Sequence, residues 1–490
     1  MILLLILAIV LIVVIQFWYK DHYRYWTKRG FVSDVACFPL DSLTGTGTSK
    51  TNVELFDDFY YRFKGHPVAG LFFVFKPTIA VYDPELIQAV LVKDFTYFHD
   101  RYIYYNEKDD PLSAHLAAID GQKWKERRSK LTQAFTSSKM KMMFDIIENI
   151  GDRFTSAIKK DLQNANDVKI SEWSARFTTD VIGNIAFGVD YNCIENPETE
   201  IRKHGRNLFR IDTPIRAMKM LFTNSFPNLS RRMGLMMNPK DSADFFLKIF
   251  NDTIKYREKS NVERNDFIKI MLQIKESGAL TFNEMAAESF VFFFGGFHTT
   301  ASVLNFILYE LALNHQIQTK LRQEVVKVLN KGKLLYESLA EMKYLDSVVN
   351  EGLRKYPPLH ILVRRCVRDY KIPNTNLIIP RGTQCTIPIY SIHHDSEYFP
   401  QPDVFDPERF NSHNAAKIKP FTFLPFGEGP RICIGIRFAF MTTKLALIKL
   451  VSEFELDKCE KTLIPMKFST KFALLAPHDE EIFLRITRRT

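Results

Sequence analysis

The chain has 490 residues, of which 46% are hydrophobic and 25% charged, so it can bury a large core and is not disordered. Its formal charge of +10 is spread along the sequence without a basic stripe that alternates with aromatic residues, which argues against nucleic-acid binding and favours an acidic membrane surface or partner. The cysteines form no CxxC pair and no zinc-ligand spacing with histidine, which argues against a disulfide framework: Cys37, Cys193, Cys366, Cys385, Cys433 and Cys459.

The first predicted element is a helix that crosses a membrane. Residues 2–14 are apolar without exception, and the stretch continues to Tyr19, about the length needed to span a bilayer core. Trp18 and Tyr19 suit the interface, and four basic residues follow, which places the remainder of the chain in the cytosol. The alternative is a cleaved signal peptide, but no basic residue precedes the apolar run and no small-residue cleavage site follows it. We therefore expect an uncleaved anchor and no later spanning segment.

A surface segment and a pair of strands come next. Residues 44–51 consist of Thr, Gly, Ser and Lys, which indicates flexible surface chain. Residues 71–75 and 78–82 are typical of two short strands separated by Lys76-Pro77. The Asp-Pro pair that follows supplies the N-cap and first-turn proline of a helix that reaches Val92.

The longest predicted helix begins at a capping box formed by Thr281 and Glu284 and runs without proline to about Asn314. Its length of about 50 Å is enough to cross an entire domain. Gly295 and Gly296 lie in its middle, where each glycine costs about 1 kcal/mol relative to alanine. Either a neighbouring helix or a ligand must therefore approach that backbone closely.

The remaining patterns complete a fold that is mostly α with minor β (α+β). Residues 372–388 alternate and carry turn residues, as a small sheet would. No internal repeat or composition break is present, so the simplest organisation has three parts. These are a transmembrane anchor over residues 2–19, a linker over residues 20–52 and a single catalytic domain over residues 53–490.

One cysteine stands in a glycine-rich turn. Cys433 lies within residues 426–435, and an amphipathic helix follows from Ile436 to about Phe454. Turn N–H groups and the start of the helix would lower the pKa of its thiol. Without a second nearby ligand the site cannot be a zinc or iron–sulfur centre. A nucleophile, a structural cysteine and the lone axial ligand of a haem remain.

This loop resembles the haem-binding loop of the cytochrome P450 family, whose pattern is Phe, two residues, Gly, one, Arg, one, Cys, one, Gly; every position matches. Three further family motifs occur in the same order and at similar separations: Glu351 with Arg354, residues 407–410, and Trp124 with Arg128. The resemblance covers the whole chain and implies the cytochrome P450 fold, with a long central helix over a buried haem b, small β-sheets and an N-terminal anchor.

The resemblance also implies residue roles. Glu351 and Arg354 would pair on one helix face and meet Arg409 in a buried network, although such a pair more often lies on a surface. Thr299 holds the place of the threonine that organises proton delivery to bound dioxygen. His298 stands where the family usually has an acid, and it would titrate near neutrality. The haem would be held by Cys433 as iron ligand and by propionate partners, which are Trp124, Arg128, Arg431 and Arg364, with Arg365 as the alternative to Arg364.

Three explanations of His298 remain open. It could be a working substitute for the acid, a carboxylate could come from another part of the chain, or the helix could have shifted toward poorer coupling. We favour the first. His393 is expected to be an ordinary loop histidine with its hydrogen bonds satisfied.

The resemblance implies a monooxygenase that inserts one atom of O₂ into lipophilic substrates, such as xenobiotics or endogenous lipids and hormones. No nucleotide-binding motif is present, so electrons would come from NADPH–cytochrome P450 reductase, and cytochrome b5 could also donate them. The location would be the endoplasmic reticulum membrane, with the catalytic domain on the cytosolic side. Basic residues near the Cys loop could dock the reductase: Lys125, Arg127, Lys130, Arg437 and Lys444.

By their position in the family, mostly apolar and aromatic residues are expected to line the substrate pocket, with core packing as the alternative for any one of them. They are Phe293 and Phe297 of the central helix and residues 102–116, 210–222, 359–363 and 474–477. Among relatives the chain looks most like insect microsomal enzymes that oxidise xenobiotics. Two rival functions remain: a haem-thiolate isomerase or dehydratase that needs no reductase, and a haem protein that binds lipophiles without turnover.

Overall fold

The computed structural model describes residues 2–34, 50–73, 76–163, 166–211, 213–260, 264, 266–276, 278 and 280–489, and most of these are helical. The predicted class, mostly α with minor β, is confirmed. The helices are α1 (Ile2–His22), α2 (Asn52–Arg62), α3 (Pro84–Gln88), α4 (Gly121–Thr132), α5 (Ser137–Asp161), α6 (Ile170–Phe187), α7 (Glu200–Phe209), α8 (Pro214–Ser225), α9 (Pro227–Arg232), α10 (Lys240–Ser260), α11 (Phe267–Glu276), α12 (Phe282–Leu313), α13 (His315–Leu329), α14 (Lys343–Lys355), α15 (Ile389–His393) and α16 (Ile436–Glu453).

The strands form three small sheets within the described ranges. They are β1 (Val68–Phe73), β2 (Lys76–Val81), β3 (Asp167–Lys169), β4 (Leu362–Arg365), β5 (Tyr370–Lys371), β6 (Ile378–Ile379), β7 (Gln384–Ile387), β8 (Phe454–Asp457) and β9 (Phe483–Arg488). The largest sheet has the order β1-β2-β7-β4, with β2 and β7 parallel and the other neighbours antiparallel. Of the predicted surface segment 44–51, residues 44–49 lie outside the described residues.

The predicted break at Lys76-Pro77 is wrong, because both residues belong to β2. Pro77 is tolerated because β2 pairs with β7 only from Thr78 onward, so the parallel ladder needs no N–H from the proline. Trp26, which follows α1, packs against the edge strand β1 of this sheet, and its Nε1 donates to the Leu71 carbonyl at 3.1 Å. A Cβ at Gly70 would overlap the Trp26 ring, so the residues after α1 are packed directly against β1.

Two helices within the described ranges are long and apolar enough to cross a membrane. One candidate spans Leu5–Arg29, and its apolar window is exposed throughout, as a lipid-facing anchor requires. The other is α12, of which 61% of the apolar window is buried inside the domain. The expectation that no later segment has the length and hydropathy of a span is therefore wrong. A helix that crosses the centre of a large domain is apolar on nearly all sides because it packs against other protein segments and not against lipid.

The central helix α12 starts and ends where the sequence predicts. The Thr281 hydroxyl accepts from the Glu284 N–H, and the Glu284 carboxylate accepts from the Thr281 N–H at 3.0 Å, so the capping box is complete. The helix has 32 residues and packs along α6, with α16 on another side. The main core surrounds these three helices, and a second core lies under the four-stranded sheet. The predicted helix after Cys433 is confirmed as α16.

A buried ion network ties α14 to the segment that leads to the Cys loop. Nε and Nη2 of Arg354 each donate to a carboxylate oxygen of Glu351 at 2.8 Å, and both side chains have no exposed surface. Arg409 lies 3.5 Å from the same carboxylate, as the sequence predicts. Arg354 also donates to the His393 carbonyl, and His393 Nε2 accepts from the Leu424 N–H. His393 is therefore a satisfied structural histidine.

The substitution Arg354→Leu is expected to lower the free energy of unfolding by about 3–5 kcal/mol, because it leaves the Glu351 carboxylate buried without its partner. The measurement is the shift of the thermal unfolding midpoint. Lys320→Ala, which breaks the exposed ion pair with Glu408, is the matched control and should cost less than about 1 kcal/mol. Equal shifts in the two variants would contradict the structural role of the network.

Candidate functional site

The loop over residues 426–435 presents the Cys433 thiol. The Cys433 N–H donates to the Phe426 carbonyl at 3.0 Å, and the Gly435 N–H bonds the sulfur. Burial raises the pKa of the Cys433 thiol above its ordinary value, and the Gly435 N–H and the cations of Arg101 and Arg128 oppose this rise. The expectation of a lowered pKa is therefore wrong for the protein alone, because desolvation outweighs the turn. The sulfur is nevertheless accessible, so an enclosed thiol faces an internal space.

Two glycines shape this loop in different ways. Gly427 and Gly429 both have positive φ, at 71° and 75°, which side chains rarely adopt. A Cβ at Gly429 would overlap the carbonyl oxygen of Leu91, whereas one at Gly427 would meet only the Leu362 side chain at 3.5 Å. The loop is thus seated directly on the backbone of the turn that follows α3.

Three buried or half-buried arginines hold the loop from the α4 side. Arg128 Nη1 donates to the Ile432 carbonyl at 2.9 Å, and Arg101 Nη2 donates to the Arg431 carbonyl at 2.7 Å. The Arg431 guanidinium stacks 4.0 Å from the Trp124 ring centroid. Burial, with the nearby Arg101 cation adding to it, lowers the pKa of Arg431 to about 9. The predicted residues Trp124, Arg128 and Arg431 therefore lie together beside Cys433, and Arg101 joins them.

Arg364 differs from the other arginines because most of its donors have no partner. It has 1% of its surface exposed, and only its Nη1 makes a hydrogen bond, to the Val363 carbonyl. Its Nε and Nη2 are buried without a hydrogen-bond partner. Burial and the cations of Arg101 and Arg431 lower its pKa well below the ordinary value. A buried donor pair surrounded by like charges requires an anion.

The neighbouring Arg365 is already paired. Its Nη2 bonds the Asp120 carboxylate at 2.8 Å and also the Asp100 carboxylate. The two adjacent arginines on β4 thus point to different environments, since side chains alternate along a strand. This contrast favours Arg364 over Arg365 as the partner of an anion, because the donors without a protein partner belong to Arg364.

The site fits a haem on these observations. Within the described residues, no group of three His, Cys, Asp or Glu side chains could hold a metal ion, so a metal bound at Cys433 would have this thiol as its one ligand of these types. The buried guanidiniums leave positive charge and two free N–H donors on Arg364, which match carboxylate groups such as the propionates of a haem. An accessible thiol and a cationic cradle on the same side of the domain are the donor set that this cofactor needs.

The glycine pair in α12 serves both of the purposes that the sequence leaves open. A Cβ at Gly296 would meet Ile182 of α6 at 2.6 Å, so this glycine permits close helix packing. A Cβ at Gly295 would meet nothing within 4 Å, so this glycine faces open space. The Thr299 hydroxyl donates to the Gly295 carbonyl one turn earlier and lies on the same open side.

His298 lies between aromatic rings and opens into a polar cavity. Its ring centroid is 5.0 Å from that of Phe209 and 5.2 Å from that of Phe472. Its Nδ1 has no partner, and burial lowers the pKa of the imidazole to about 4. The expectation that His298 titrates near neutrality is therefore wrong. The residue lines a cavity of about 420 Å³ together with Arg210 and Glu480.

The aromatic face toward the site differs in part from the predicted one. Phe293 packs in the core between Phe187 and Phe246 and has no exposed surface, whereas Phe297, although almost fully buried beside it, lines the cavity that His298 also lines. Phe294, one residue after Phe293, is partly accessible and stacks 4.1 Å from Phe209. The rotation of about 100° per residue along the helix explains the error, because apolar residues occupy all its faces.

Two of the proposed docking residues are not on the surface. Arg127 is 2% exposed and pairs with Glu288, and Lys444 is 6% exposed and pairs with Asp346. Lys125 and Arg437 are exposed, and Lys130 is half-buried. Of the five residues, these three therefore have surface that a partner could contact.

One site residue was missed from the sequence. Arg101 lies on the segment between α3 and α4, outside any motif and one residue before the predicted substrate-lining range 102–116. It is brought to the site by tertiary contacts alone, so no local pattern could have identified it.

The sequence matches known proteins over nearly its whole length. A family model described as Cytochrome P450 matches residues 44–484. The chain is 39% identical to Cytochrome P450 6A1 of Musca domestica over 470 residues, which cover 93% of this chain and 92% of that protein. It is 38% identical to Cytochrome P450 6a2 of Drosophila melanogaster over 509 residues, with full coverage of both. Probable cytochrome P450 6a13 of Drosophila melanogaster is 39% identical over 472 residues, 95% of this chain and 94% of that protein.

The substitution Gly429→Ala is expected to abolish most haem incorporation, because a Cβ there overlaps the Leu91 backbone and displaces the Cys loop. Gly427→Ala is the matched control, since it meets only a side chain and costs about 1–2 kcal/mol of backbone strain. The haem content of the two purified variants is the measurement. Similar content in both would show that the contact with Leu91 does not position the loop.

Proposed function

The chain belongs to the cytochrome P450 family, and from this premise we propose that it is a membrane-anchored haem-thiolate monooxygenase that oxidises lipophilic substrates. Cys433 is the iron ligand in this proposal. The single observation that carries it is the accessible Cys433 thiol beside buried guanidiniums, one of which, Arg364, keeps two unpartnered donors. This arrangement supports a bound dianion next to a sulfur ligand.

Each residue of the site has a defined task. When bound, haem b supplies the activation of O₂, and its thiolate ligand donates the electron density that favours cleavage of the O–O bond. The loop glycines hold Cys433 in place, and the Gly435 N–H bonds its sulfur. Arg101, Arg128, Arg364 and Arg431 would bind the propionates, and Trp124 orients Arg431 by stacking.

Thr299 and His298 would bring protons to the open side of α12. Thr299 holds its hydroxyl at the accessible Gly295 turn. His298 is neutral at physiological pH, so it can accept a proton and pass it on, but it supplies no standing negative charge. Four acidic residues line the same cavity and are candidates for a carboxylate from another segment: Glu172, Glu198, Asp479 and Glu480.

The substrates are proposed to be lipophilic and to include xenobiotics. Partly accessible Phe294, its partner Phe209 and the neighbouring Phe472 offer a wall of large apolar area. Such a surface binds through area and shape, and few polar groups fix the orientation of the ligand.

Electrons are proposed to come from NADPH–cytochrome P450 reductase, with cytochrome b5 as a further donor. Exposed Lys125 and Arg437, with half-buried Lys130, offer positive charge for an acidic partner. The exposed apolar α1 supports anchoring in the endoplasmic reticulum membrane with the catalytic domain on the cytosolic side. The proposed organisation remains an anchor over residues 2–19, a linker over residues 20–52 and one domain over residues 53–490.

The test is the difference spectrum of the dithionite-reduced protein with carbon monoxide. A red-shifted Soret band, as thiolate-ligated haem gives, is expected in the wild type and in Cys459→Ser, and it should be lost in Cys433→Ser. A band typical of another ligand would overturn the assignment. Reductase-dependent O₂ consumption then separates a monooxygenase from an isomerase or a lipophile-binding protein, neither of which consumes O₂.

The substitution Arg364→Met is expected to speed haem loss by about tenfold, because it removes the donors that have no protein partner. Haem transfer to apomyoglobin, followed by absorbance, measures the rate. Arg365→Met is the comparison: it breaks contacts with Asp100 and Asp120 and should affect thermal stability more than haem release. The reverse order of the two rates would move the propionate site to Arg365.

The substitution His298→Ala is expected to raise the fraction of NADPH electrons that leave as hydrogen peroxide, while His298→Asp restores coupling. Because the pKa of His298 is held at about 4, the imidazole stays neutral above about pH 5, and its ionisation adds no inflection to turnover between about pH 6 and 8. Peroxide yield and the pH profile are the measurements. An unchanged peroxide yield in His298→Ala would remove the residue from proton delivery.

A further inference from the structure

Two adjacent arginines of α4 bind different parts of the domain. Arg128 Nη1 donates to the Ile432 carbonyl at 2.9 Å, in the Cys loop over residues 426–435. Arg127 is almost fully buried against the central helix, where its Nη1 donates to the Glu288 carboxylate of α12 at 3.1 Å. Successive residues of a helix differ in direction by about 100°. One turn of α4 therefore contacts both the Cys loop and α12.

The ion pair between Arg127 and Glu288 is enclosed by the domain, because both side chains are almost fully buried. Burial raises the pKa of Glu288 to about 7, and the Arg127 cation and the Leu116 N–H oppose this rise. Glu284, a like charge on the same helix, adds to the rise. The negative charge of Glu288 near neutral pH therefore depends on its two partners. Since a buried ion pair often adds little net stability, its effect on geometry needs its own explanation.

The same pair bonds the backbone of the segment between α3 and α4. Arg127 Nη1 donates to the Ala114 carbonyl at 2.7 Å, and Glu288 accepts from the Leu116 N–H at 3.2 Å. His115 lies between these two peptide groups, so the backbone is held on both sides of one residue. Residues 114–116 are thus fixed to α4 by Arg127 and to α12 by Glu288.

The Leu116 peptide continues the connection to the Cys loop. Its carbonyl accepts from Arg431 Nη1 at 3.3 Å, and Arg431 Nη2 donates to the Ile119 carbonyl at 2.8 Å. Leu116 therefore bonds Glu288 through its N–H and Arg431 through its carbonyl. A movement of this peptide away from α12 would disturb the residue two positions before Cys433.

Two routes thus lead from the ion pair to neighbouring residues of the Cys loop. One runs along α4 from Arg127 to Arg128 and ends on the Ile432 carbonyl. The other runs from Glu288 through Leu116 and ends on Arg431. Both routes consist of contiguous covalent and hydrogen bonds between buried or half-buried groups, which is the kind of network that can transmit a displacement.

We propose that the Arg127–Glu288 pair positions the thiol ligand, because it ties α4 and residues 114–116 to α12 and thereby fixes the two residues before Cys433. Glu288 is then a positioning residue, which acts on the sulfur through Leu116 and Arg431. The thiolate, and not the thiol, is the strong metal ligand, so a loop that moves and lets a proton reach the sulfur weakens this ligand. The inference rests on the proposed haem-thiolate function, since retention of the thiolate is the property that the pair affects.

The experiment compares Glu288→Met with Glu288→Gln in the full-length, haem-loaded protein. The methionine thioether is a poor acceptor for the Leu116 N–H, whereas the glutamine amide oxygen can accept from it. Both variants leave Arg127 paired with Glu284, so neither leaves the buried cation without a partner. The reduced carbon monoxide complex is followed with time. Conversion of the thiolate-type Soret band to the thiol-type band should be about tenfold faster in Glu288→Met than in the wild type, and within about twofold of the wild type in Glu288→Gln.

The double variant Arg127→Met/Glu288→Met is a second form of the same test. Buried ion pairs often tolerate replacement of both partners by apolar residues of similar volume, so this variant should remain folded. It lacks the bonds to the Ala114 carbonyl and the Leu116 N–H. We therefore expect its thiolate-type band to convert at least as fast as that of Glu288→Met.

Arg257→Met is the matched control for loss of a buried ion pair. Arg257 of α10 pairs with Asp266, which also accepts from the Lys269 N–H of α11, and both partners are almost fully buried. This pair joins α10 to the start of α11. Arg257→Met should lower the thermal unfolding midpoint at least as much as Glu288→Met does, and its thiolate-type band should convert at the wild-type rate.

Amide hydrogen exchange provides a readout that does not depend on the spectrum. Peptides that cover residues 114–119 and 426–435 should exchange faster in Glu288→Met than in the wild type, because the bonds that hold both segments are weakened. In Arg257→Met the same peptides should exchange at the wild-type rate.

A wild-type conversion rate in both Glu288→Met and the double variant would overturn the proposal, as would equally fast conversion in Glu288→Met, Glu288→Gln and Arg257→Met. Unchanged exchange over residues 426–435 in Glu288→Met would do the same. The wild-type carbon monoxide spectrum keeps the two proposals separate. A thiolate-type band together with these results rejects the role of the ion pair alone, whereas absence of that band in the wild type rejects the haem-thiolate function itself.

Discussion

Positive charge that is buried beside one thiol, and that Asp100 and Asp120 compensate only in part, is the constraint on which the site depends. Arg101, Arg128 and Arg431 lie close enough to affect one another's ionisation, and Arg364 adds a fourth guanidinium with two free donors. Burying like charges together costs free energy in a protein interior of low dielectric constant. Such a cluster is stable only where a bound anion offsets that cost. Arg101 donates to the Arg431 carbonyl and Arg128 to the Ile432 carbonyl. Two of the arginines that favour a bound anion therefore also fix the loop that presents Cys433.

Different faces of the central helix α12 have different roles at that site. Gly296 lets α6 approach closely, and Gly295 leaves the opposite side open, where Thr299 bonds back to the helix. His298 lies about 100° around the helix from Thr299 and lines a polar cavity together with Arg210 and Glu480. Its neutral state follows from burial between aromatic rings, so proton transfer there depends on exchange with the cavity and not on a fixed charge.

Local signals predicted the parts of this structure that depend on neighbouring residues. The capping box of Thr281 and Glu284, the pairing of Glu351 with Arg354 and the helix after Cys433 are all written within a few positions of the sequence. What the sequence could not provide depends on distant contacts. Arg101 meets Arg431 across 330 residues, and the burial of Arg127 follows from its pairing with Glu288 on another helix. The pKa of His298 likewise reflects desolvation by the folded domain, which no spacing encodes.

Arg431 connects the metal-ligand loop to the segment that carries His115. It donates to the carbonyls of His99, Leu116 and Ile119, and its own carbonyl accepts from Arg101. These bonds join the loop two residues before Cys433 to the backbone one residue after His115. The position of the sulfur is thus coupled to the segment between α3 and α4 through one buried guanidinium, because neither backbone segment can shift without breaking hydrogen bonds to Arg431.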